Sequence, residues 1–318
     1  MSVADAERAS FSHEPVMRDE IVDVFANVPP GTILDATLGG GGHSEALLDS
    51  RQDLDVIGLD RDPDAIAAAT DRLERFGTRF RTTMRRYDDV DGGLAEHGIE
   101  RLSGALFDLG VSSYQLDEAS RGFSYRHDGP LDMRMGPDAT WTADDVVNGY
   151  DVKRLAEIIR RYGEERFATR IAQAIVAARP IETTNQLAEV VVAAIPAPAR
   201  RTGGHPAKRT FQAIRIEVNG ELDALPTAID AAIDRIVPGG RVAVLSYHSG
   251  EDRIVKQRMI NAADRCECPP ELPCVCGAVQ TVRIVRKVAK KPSAGEMERN
   301  RRSTSARLRV VERIEEES

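Results

Sequence analysis

The first third of the chain alternates short apolar runs with amphipathic stretches, which predicts a parallel β-sheet covered by helices. The apolar runs Thr32–Ala36, Leu54–Leu59 and Leu102–Leu109 have the length and composition of buried strands. Between them, Ser44–Ser50 and Ala65–Phe76 carry apolar residues at helical spacing. We therefore expect repeated strand–helix–strand units at the start of the chain.

The pattern changes after the third of these strands. Gly110–Gly149 is rich in Gly, Ser, Asp and Met and shows neither period, which predicts a long loop of functional interest. Val152–Ile195 then has helical patterning, and Pro180 divides its later part into Glu164–Arg179 and Asn185–Ala194. The middle of the chain is thus expected to be helical, not part of the sheet.

Strand patterning returns in the last third of the chain. Glu221–Ile236 predicts a helix, Pro238–Gly240 a turn and Arg241–Ser246 a buried strand. Val279–Lys287 and Ala306–Val311 predict a terminal hairpin with a basic connection.

These elements predict an α/β fold with a Rossmann-like sheet formed by residues 1–113 and 213–318. Residues 114–212 are expected to form an inserted helical domain that recognises the substrate. The sequence has no run of about 18 apolar residues, and its N-terminus lacks the apolar core of a signal peptide. We therefore expect a cytoplasmic protein that binds no membrane.

The charge is unevenly distributed along the chain. A net charge of −8 argues by itself against a nucleic-acid partner. Arg200–Arg215, however, holds five basic residues and no acid, and Arg283–Arg309 holds ten basic and two acidic residues. Local basic surfaces bind phosphates even on an acidic protein. Solvated faces explain these clusters equally well, so the charge leaves both interpretations open.

The turn after the first predicted strand indicates a nucleoside cofactor. Asp35–Ser44 contains the consecutive glycines Gly39–Gly42, which allow a tight turn and a close approach of backbone to ligand. Asp60 closes the second strand about 20 residues later, where acidic side chains bind ribose hydroxyls in dinucleotide folds. A glycine loop alone is a weak signal, but its combination with this carboxylate is more specific.

The same turn helps to choose among nucleosides. No Gly-Lys-Ser/Thr follows the glycines, so an ATP-binding P-loop is absent. A G-x-G-x-x-G pattern that began at Gly39 or Gly40 would end on Ser44 or Glu45. Glu45 in the first helical turn would repel a pyrophosphate but tolerate a zwitterionic amino-acid end. S-adenosylmethionine therefore fits better than NAD.

Two later strand ends carry candidate chemistry. Asp108 ends a central strand, a position from which it can meet the adenine or the substrate, although a cap or turn role is also open. Tyr247 and His248 follow the strand at Arg241–Ser246 and are expected in the same crevice. Tyr247 is suited to stack on a base, and His248 to bond its edge or take a proton. Packing or capping of the next helix is the alternative for both.

His205–Arg215 mixes cations with an aromatic residue, a combination suited to single-stranded RNA. Lys208, Arg209 and Arg215 are candidates for phosphate contact, whereas Phe211 is expected in the core. Solvated cations are the alternative for Lys208 and Arg215.

The four cysteines lie close together in the chain. Cys266, Cys268, Cys274 and Cys276 link no distant segments, so no disulfide framework is expected and a reducing compartment fits. They are similar to a ligand set for a structural zinc, although each pair is separated by one residue only. Zinc and reduced structural thiols both stay open.

Several motifs together resemble the MraW/RsmH family, ribosomal RNA small-subunit methyltransferases that modify N4 of a cytidine in 16S rRNA near the decoding centre. The motifs that carry the resemblance are His13–Val16, Asp35–Ser44, Asp108–Asp117, Arg121–Ser124, Gly129–Arg134, Tyr162–Glu165 and Ser246–Ser249. The resemblance implies a Rossmann-like class I methyltransferase fold with a helical insertion. It also implies contacts with S-adenosylmethionine at Gly40, Gly41, Gly42, His43, Asp60, Tyr87, Asp108 and Gln115, where Tyr87 stands in place of the Phe that the family often has.

The group that accepts the N4 proton is not given by analogy with other amino-methyltransferases. The Asn/Asp-Pro-Pro-Tyr/Phe motif that many of them use is absent, and Asp108–Val111 occupies the equivalent strand end. Asp108 and His248 are therefore the candidate catalytic residues. Tyr247, Lys208, Arg209 and Arg215 are the candidate RNA contacts.

The expected partner is 16S rRNA within the small ribosomal subunit, because an acidic protein holds naked RNA weakly by charge alone. Two other interpretations stay open: a methyltransferase that acts on protein or a small molecule, and a nucleic-acid-binding protein with a vestigial cofactor fold. The sequence does not decide the oligomeric state, and an oligomer stays possible.

Overall fold

The computed structural model describes residues 14–201, 204–264 and 280–315. These residues divide into two compact units: Val111–Glu221, here called the helical unit, and the chain on either side of it, here called the sheet unit. The division falls beyond residue 212 because Lys208–Asn219 is one continuous helix that packs on Val152–Gly163 within the helical unit.

The sheet unit alternates strands and helices along the chain, as the apolar pattern predicted. Its elements are α1 (Arg18–Phe25), β1 (Gly31–Asp35), α2 (Gly42–Ser50), β2 (Leu54–Asp60), α3 (Pro63–Leu73), β3 (Phe80–Met84), α4 (Val90–Glu96), β4 (Leu102–Asp108), α10 (Glu221–Arg235), β5 (Ile236–Ser246), α11 (Ser249–Asp264), β6 (Val282–Ile284), α12 (Ala294–Arg299) and β7 (Arg307–Arg313), with 3₁₀ turns at Glu74–Arg79 and Arg301–Ser305.

The strands form a seven-stranded sheet in the order β3-β2-β1-β4-β5-β7-β6. Strands β1 to β5 are parallel, and β7 runs antiparallel to both β5 and β6. The strand order reverses between β1 and β4, and in such sheets ligands bind in the crevice outside the carboxyl ends of the strands at that point. The predicted Rossmann-like α/β fold is confirmed.

Both faces of the sheet are covered, and this explains the apolar runs in the sequence. Leu34, Ile57 and Phe107 pack in the cluster that includes α10, while their neighbours Val56 and Leu106 pack in the cluster on the opposite face. Successive side chains of a strand point to opposite faces. Strands buried on both faces are therefore almost continuously apolar.

The helical unit contains helices of different lengths joined by irregular segments. Its elements are α5 (Ser113–Asp117), α6 (Val152–Gly163), α7 (Ala168–Ala177), α8 (Thr184–Ala194) and α9 (Lys208–Asn219), with 3₁₀ turns at Ala119–Arg121 and Ala199–Arg201 and a short π-helix at Asp145–Gly149. The loop predicted over residues 110–149 thus includes short helical segments. The helix predicted from Glu164 begins only at Ala168, because Glu164 has φ 50° and ends α6 in the left-handed conformation.

Two further predictions differ from the structure. The turn predicted at Pro238–Gly240 lies inside β5, where Gly239 has φ 78° and the register against β4 shifts between Leu102 and Gly104. The turn-forming residues therefore produce an irregularity in the strand. In addition, β3 has no apolar alternation and its side chains are half-buried or exposed, so the sequence pattern did not predict it.

The predicted terminal strand pair is confirmed within the described residues, since β6 and β7 pair antiparallel. Residue 279, the predicted start of this pair, lies outside the described residues. None of the helices described has the length and apolarity needed to span a bilayer.

Candidate active site

The glycine loop joins β1 to α2 beside the point where the strand order reverses. The backbone amide of Leu38 donates to the carbonyl of Leu59 at 2.9 Å, which holds the loop against the end of β2. Gly41 caps α2 with φ 76°, and an added Cβ would lie 3.0 Å from Leu73 Cδ1 and 3.2 Å from Ala69 Cβ. This position therefore requires glycine for its backbone conformation and for its packing.

Asp35 fixes the loop from within. Its Oδ2 accepts a 2.7 Å hydrogen bond from the Ser44 hydroxyl, and its Oδ1 accepts one of 3.4 Å from the Thr37 amide. The side chain is buried, and this burial raises its pKa despite the hydrogen bonds that favour the charged form. Asp35 and Ser44 thus tie the end of β1 to the first turn of α2.

Asp60 ends β2 and binds the glycine loop through the backbone. Its Oδ2 accepts from the Gly39 amide at 2.8 Å, and its Oδ1 accepts from the Asp62 amide at 2.9 Å. Burial raises the pKa of Asp60 to about 6, although both hydrogen bonds favour the carboxylate. A carboxylate has about four acceptor positions, so this one retains capacity for two hydroxyl donors.

His43 is a buried side chain in the first turn of α2. Both of its ring nitrogens are buried, and neither has a hydrogen-bond partner among the described residues. Its Nε2 lies 3.5 Å from Oδ2 of Asp108. Buried polar atoms are rarely left unpaired in native proteins, so these nitrogens are suited to meet a ligand.

Asp108, at the end of β4, has one engaged and one available carboxylate oxygen. Its backbone amide donates to the Thr37 hydroxyl at 2.6 Å, and its Oδ1 accepts from the Tyr247 hydroxyl at 2.6 Å. A quarter of its side chain is exposed. Burial, followed by the charge of Asp108, raises the pKa of Tyr247 well above its ordinary value, so the phenol remains a neutral donor.

His248 contacts the start of α11. Its Nδ1 accepts from the backbone amides of Gly250 at 3.2 Å and Glu251 at 3.4 Å, while its Nε2 lies 3.2 Å from Oε1 of Glu251. The other oxygen of Glu251 accepts from the amides of Tyr247 at 2.7 Å and His248 at 3.2 Å. The arrangement matches the capping alternative, and it places the proton of neutral His248 on Nε2. Its catalytic role stays a prediction.

Glu45 has basic neighbours that the sequence argument did not include. Its carboxylate lies 3.0 Å from Nε of Arg72 and 3.3 Å from Nη2 of Arg75, and Arg72 also donates to the Gly40 carbonyl. These cations offset the negative charge of Glu45, so its predicted repulsion of a pyrophosphate is weakened.

The other two predicted cofactor contacts lie in different units. Tyr87, which follows β3, packs half-buried against the core with its ring 6.4 Å from that of Phe107 in an edge-to-face arrangement. Gln115 is buried in the helical unit, where it forms a capping box with Ser112 at the start of α5. Their contacts with a cofactor stay predictions.

The predicted RNA contacts on α9 differ in their surroundings. Lys208 and Arg209 are exposed, and Arg209 donates to the carbonyl of Glu164 at 3.2 Å. Arg215 instead makes two 2.8 Å hydrogen bonds to the carboxylate of Glu221. The guanidinium of Arg215 is largely buried and already bound to a carboxylate, which leaves little of it for a phosphate. Its contact with RNA stays a prediction.

Phe211 is buried, as predicted for a core residue. The four cysteines proposed as zinc ligands, at positions 266, 268, 274 and 276, lie outside the described residues. Among the residues that are described, no group of three or more His, Cys, Asp or Glu side chains has the arrangement of a metal site.

The sequence profile of the MraW methylase family matches residues 10–314. The chain belongs to the MraW methylase family. The Rossmann-like sheet with its inserted helical unit is a class I methyltransferase fold, as the resemblance implied.

Curated relatives of this methylase family span nearly the whole chain. The ribosomal RNA small subunit methyltransferase H of Mycolicibacterium smegmatis is 52% identical over 314 residues, covering 95% of this chain and 84% of that protein. The proteins of that name from Lachnospira eligens and Symbiobacterium thermophilum are each 49% identical, covering 96% of this chain and 98% of theirs.

The structure of this family member adds residues that sequence reasoning missed. Thr37 and Ser44 hold Asp108 and Asp35, and Glu251 holds the backbone that carries Tyr247. Thr37 and Ser44 lie within the glycine-loop motif, and their hydroxyl groups near the strand end could have identified them as hydrogen-bond partners of the site. Glu251 had no such signal, because its contacts depend on how α11 begins.

Proposed function

We propose that this protein transfers the methyl group of S-adenosylmethionine to N4 of a cytidine in 16S rRNA, near the decoding centre of the small ribosomal subunit. The observation that carries this proposal is the position of Asp108 beside His43 at the switch point of a methyltransferase sheet. One oxygen of Asp108 accepts from Tyr247, and the other lies 3.5 Å from Nε2 of His43, whose buried ring nitrogens have no hydrogen-bond partner among the described residues. The relatives' names support rRNA as the substrate.

The residues present fit S-adenosylmethionine. Asp60 has acceptor capacity for two ribose hydroxyls while it remains bound to the glycine loop. Gly40, Gly41 and Gly42 present backbone at the start of α2, and His43 offers ring nitrogens that lack partners among the described residues. When bound, S-adenosylmethionine supplies a methyl group on a positively charged sulfonium, which is a good leaving group.

Asp108 is the proposed acceptor for the substrate amine. The lone pair of cytosine N4 is delocalised into the ring, so attack on a methyl group benefits from an acceptor that takes the amine hydrogen bond. The Tyr247 hydroxyl occupies Oδ1, which leaves Oδ2 to accept from N4. Holding the reacting atoms about 3 Å apart in line supplies several kcal/mol more of the barrier reduction.

The helical unit is the proposed substrate-recognition domain. Its exposed cations Lys208 and Arg209 are suited to phosphates, whereas the charge of the whole chain is −8. Electrostatic attraction alone therefore holds naked RNA weakly, and the proposed substrate is rRNA folded within the small subunit. If free rRNA were labelled faster than intact subunits under the same conditions, this part of the proposal would be wrong.

The proposal is tested by the identity of the methylated nucleoside. Purified protein is incubated with radiolabelled S-adenosylmethionine and small subunits from cells that lack the enzyme, and the labelled nucleoside is identified by mass spectrometry. We expect N4-methylated cytidine from the wild type and none from Asp60→Ala. Asp53→Ala is the matched control, because this exposed carboxylate lies next to the opposite end of β2 and pairs with Arg51.

Each other outcome favours a different interpretation. Label on another base contradicts cytosine N4 but keeps an rRNA methyltransferase. Label on a ribosomal protein supports the protein-methylating alternative. If cofactor binds without any transfer, the protein is better described as an RNA-binding protein that retains a cofactor fold.

A further inference from the structure

Two aromatic rings of the helical unit form a stack that extends from the core to the surface. The rings of Tyr125 and His205 lie 4.5 Å apart with an interplanar angle of 14°. Tyr125 also meets the buried ring of Phe211 edge to face at 5.8 Å. Tyr125 is half-buried and His205 is exposed. The stack is therefore anchored in the core and ends at the surface in an aromatic ring.

His205 is held in a defined orientation. Its Nδ1 accepts a 3.3 Å hydrogen bond from the amide of Ala207, just before α9. In the neutral ring this leaves the proton on Nε2. Partial burial, followed by the nearby charge of Arg126, lowers the pKa of His205, which favours the neutral ring. A neutral, oriented ring is suited to stack on a base.

Two exposed cations lie near this stack, one in space and one in sequence. The guanidinium of Arg126 lies 5.7 Å from the centre of the Tyr125 ring, and Lys208 begins α9 three residues after His205. Both are exposed. Within the described parts of the chain, the side chains of Arg126 and Lys208 are in no ion pair with a carboxylate. Unpaired cations next to an exposed ring are the combination that binds single-stranded nucleic acid, because phosphates pair with the charges while a base stacks on the ring.

We infer that His205 and Tyr125, flanked by Arg126 and Lys208, form a binding site for one unpaired nucleotide of the RNA substrate. The base stacks on the exposed ring of His205, and the adjacent phosphates contact the two cations. This site deepens the proposed function and rests on it, since it assigns to the helical unit a contact with a single-stranded segment. Stacking of this kind does not discriminate among the bases, because every base has an aromatic face.

The contacts of His205 allow a sharp pair of substitutions. His205→Asn keeps an acceptor for the Ala207 amide but removes the ring, whereas His205→Phe keeps the ring but removes the acceptor. If His205 stacks on a base, RNA affinity should be kept in His205→Phe and lost in His205→Asn. If its role is purely structural, both RNA affinity and thermal stability should be kept in His205→Asn and lost in His205→Phe. Trp141→Asn is the matched control, because Trp141 is an exposed aromatic residue elsewhere in the helical unit.

The test measures equilibrium binding by fluorescence anisotropy at low salt. The probes are a fluorescein-labelled single-stranded uridine oligomer and an oligomer with the same sugar–phosphate backbone and no bases. We expect His205→Asn to weaken binding of the uridine oligomer by about fivefold or more, with no change for the baseless oligomer. His205→Phe and Trp141→Asn should remain within about twofold of the wild type.

Substitution of the two cations should affect RNA binding differently from substitution of the ring. Arg126→Ala and Lys208→Ala should weaken both oligomers equally, and each should reduce the slope of log affinity against log salt by about 0.7, as expected for one phosphate contact on a single strand. The inference is wrong if the wild type binds both oligomers alike, if neither oligomer binds, or if His205→Asn and His205→Phe have the same affinity for the uridine oligomer.

Failure of this inference is distinguishable from failure of the proposed function. Methyl transfer to small subunits is measured with the same preparations. Base-dependent binding through His205 without methyl transfer would overturn the proposed function and leave the stacking site intact. Normal methyl transfer, with no effect of the His205 ring on RNA binding, would overturn the stacking site and leave the proposed function intact.

Discussion

The hydroxyl of Tyr247 donates a 2.6 Å hydrogen bond to Oδ1 of Asp108, so the residue after β5 fixes the carboxylate at the end of β4. The same carboxylate lies 3.5 Å from His43 through its other oxygen. Three elements of the sheet unit thus place their side chains around one acceptor. The phenol stays protonated because burial and the charge of Asp108 raise its pKa.

Tyr247→Phe should lower the rate of methyl transfer at saturating substrates about tenfold or more and leave the affinity for S-adenosylmethionine within about twofold. The reason is the loss of one hydrogen bond to a charged group, worth about 1.5–3 kcal/mol, which orients Asp108. Rates and affinities are measured by single turnover and by calorimetry. Tyr150→Phe is the control, because it removes a comparable bond to Glu217 in the helical unit. Equal losses in the two variants would contradict the account.

The affinity for S-adenosylmethionine should fall as the pH drops below about 6. The pKa of Asp60 is raised to about 6 by burial, and its ionised form accepts from ribose hydroxyls more strongly than its protonated form, so protonation weakens cofactor binding. Each further unit of pH below this value should weaken binding by at most about tenfold. Calorimetric titrations between about pH 5 and pH 8 check this. Asp60→Asn should bind weakly at every pH, and a pH dependence that persists in this variant would assign the titration to another group.

The contribution of Asp60 to folding stability changes with pH in the opposite direction to that of an ordinary salt-bridged carboxylate. Because the folded-state pKa of Asp60 lies above its ordinary value, the folded protein binds this proton more tightly than the unfolded chain does. The contribution of Asp60 to stability is thus most favourable at pH below the ordinary carboxyl pKa, and it is lost as the pH rises through about 6.

Gly41→Ala should destabilise the fold and weaken cofactor binding. Alanine at φ 76° costs about 1–2 kcal/mol, and its Cβ would also press on Leu73 and Ala69. Gly98→Ala is the control, since Gly98 also has a positive φ, of 63°, but no atom within 4 Å of an added Cβ. Thermal unfolding should show the larger loss for Gly41→Ala. A smaller loss than for Gly98→Ala would contradict the packing described for the loop.

Arg215→Ala should lower stability without reducing the salt dependence of RNA binding. The substitution removes both hydrogen bonds that the guanidinium makes to the carboxylate of Glu221 in a largely buried ion pair, at a cost of up to about 3–5 kcal/mol. Lys208→Ala should show the opposite pattern, with an unchanged melting temperature and a weaker salt dependence. If Arg215→Ala folds as stably as the wild type and reduces the salt dependence of RNA binding, Arg215 contacts a phosphate.

The central strands were predictable because their burial on both faces leaves a nearly continuous apolar run. Strand β3 was not, because its side chains are only partly buried and its sequence includes Arg and two Thr. The turn residues at Pro238–Gly240 were recognised, but their effect inside β5 depends on pairing with β4. Local sequence therefore identifies residues that disfavour regular structure. Whether such residues form a turn or an irregularity within a strand depends on the neighbouring strands.

The site was predictable as a set of strand ends but not as a set of contacts. Asp108 and Tyr247 are 139 residues apart, and their hydrogen bond depends on the register in which Asp108 of β4 pairs with Leu245 of β5. A histidine at position 248 is suited both to capping a helix and to taking a proton, so the sequence does not distinguish the two roles. The hydrogen bonds from the amides of Gly250 and Glu251 show that it caps the helix. The pairing of Arg215 with Glu221 escaped the sequence argument because the chain leaves the helix at Gly220 between them.

The measurement that tests the central claim most directly is the single-turnover rate of methyl transfer to small subunits by Asp108→Asn, compared with its affinity for S-adenosylmethionine. If Asp108 accepts the hydrogen bond of the cytidine amine, the rate should fall by about 10²-fold or more while the cofactor affinity stays within a few-fold of the wild type. A rate equal to that of the wild type, or a loss explained entirely by weaker cofactor binding, would contradict the placement of the reacting amine at Asp108.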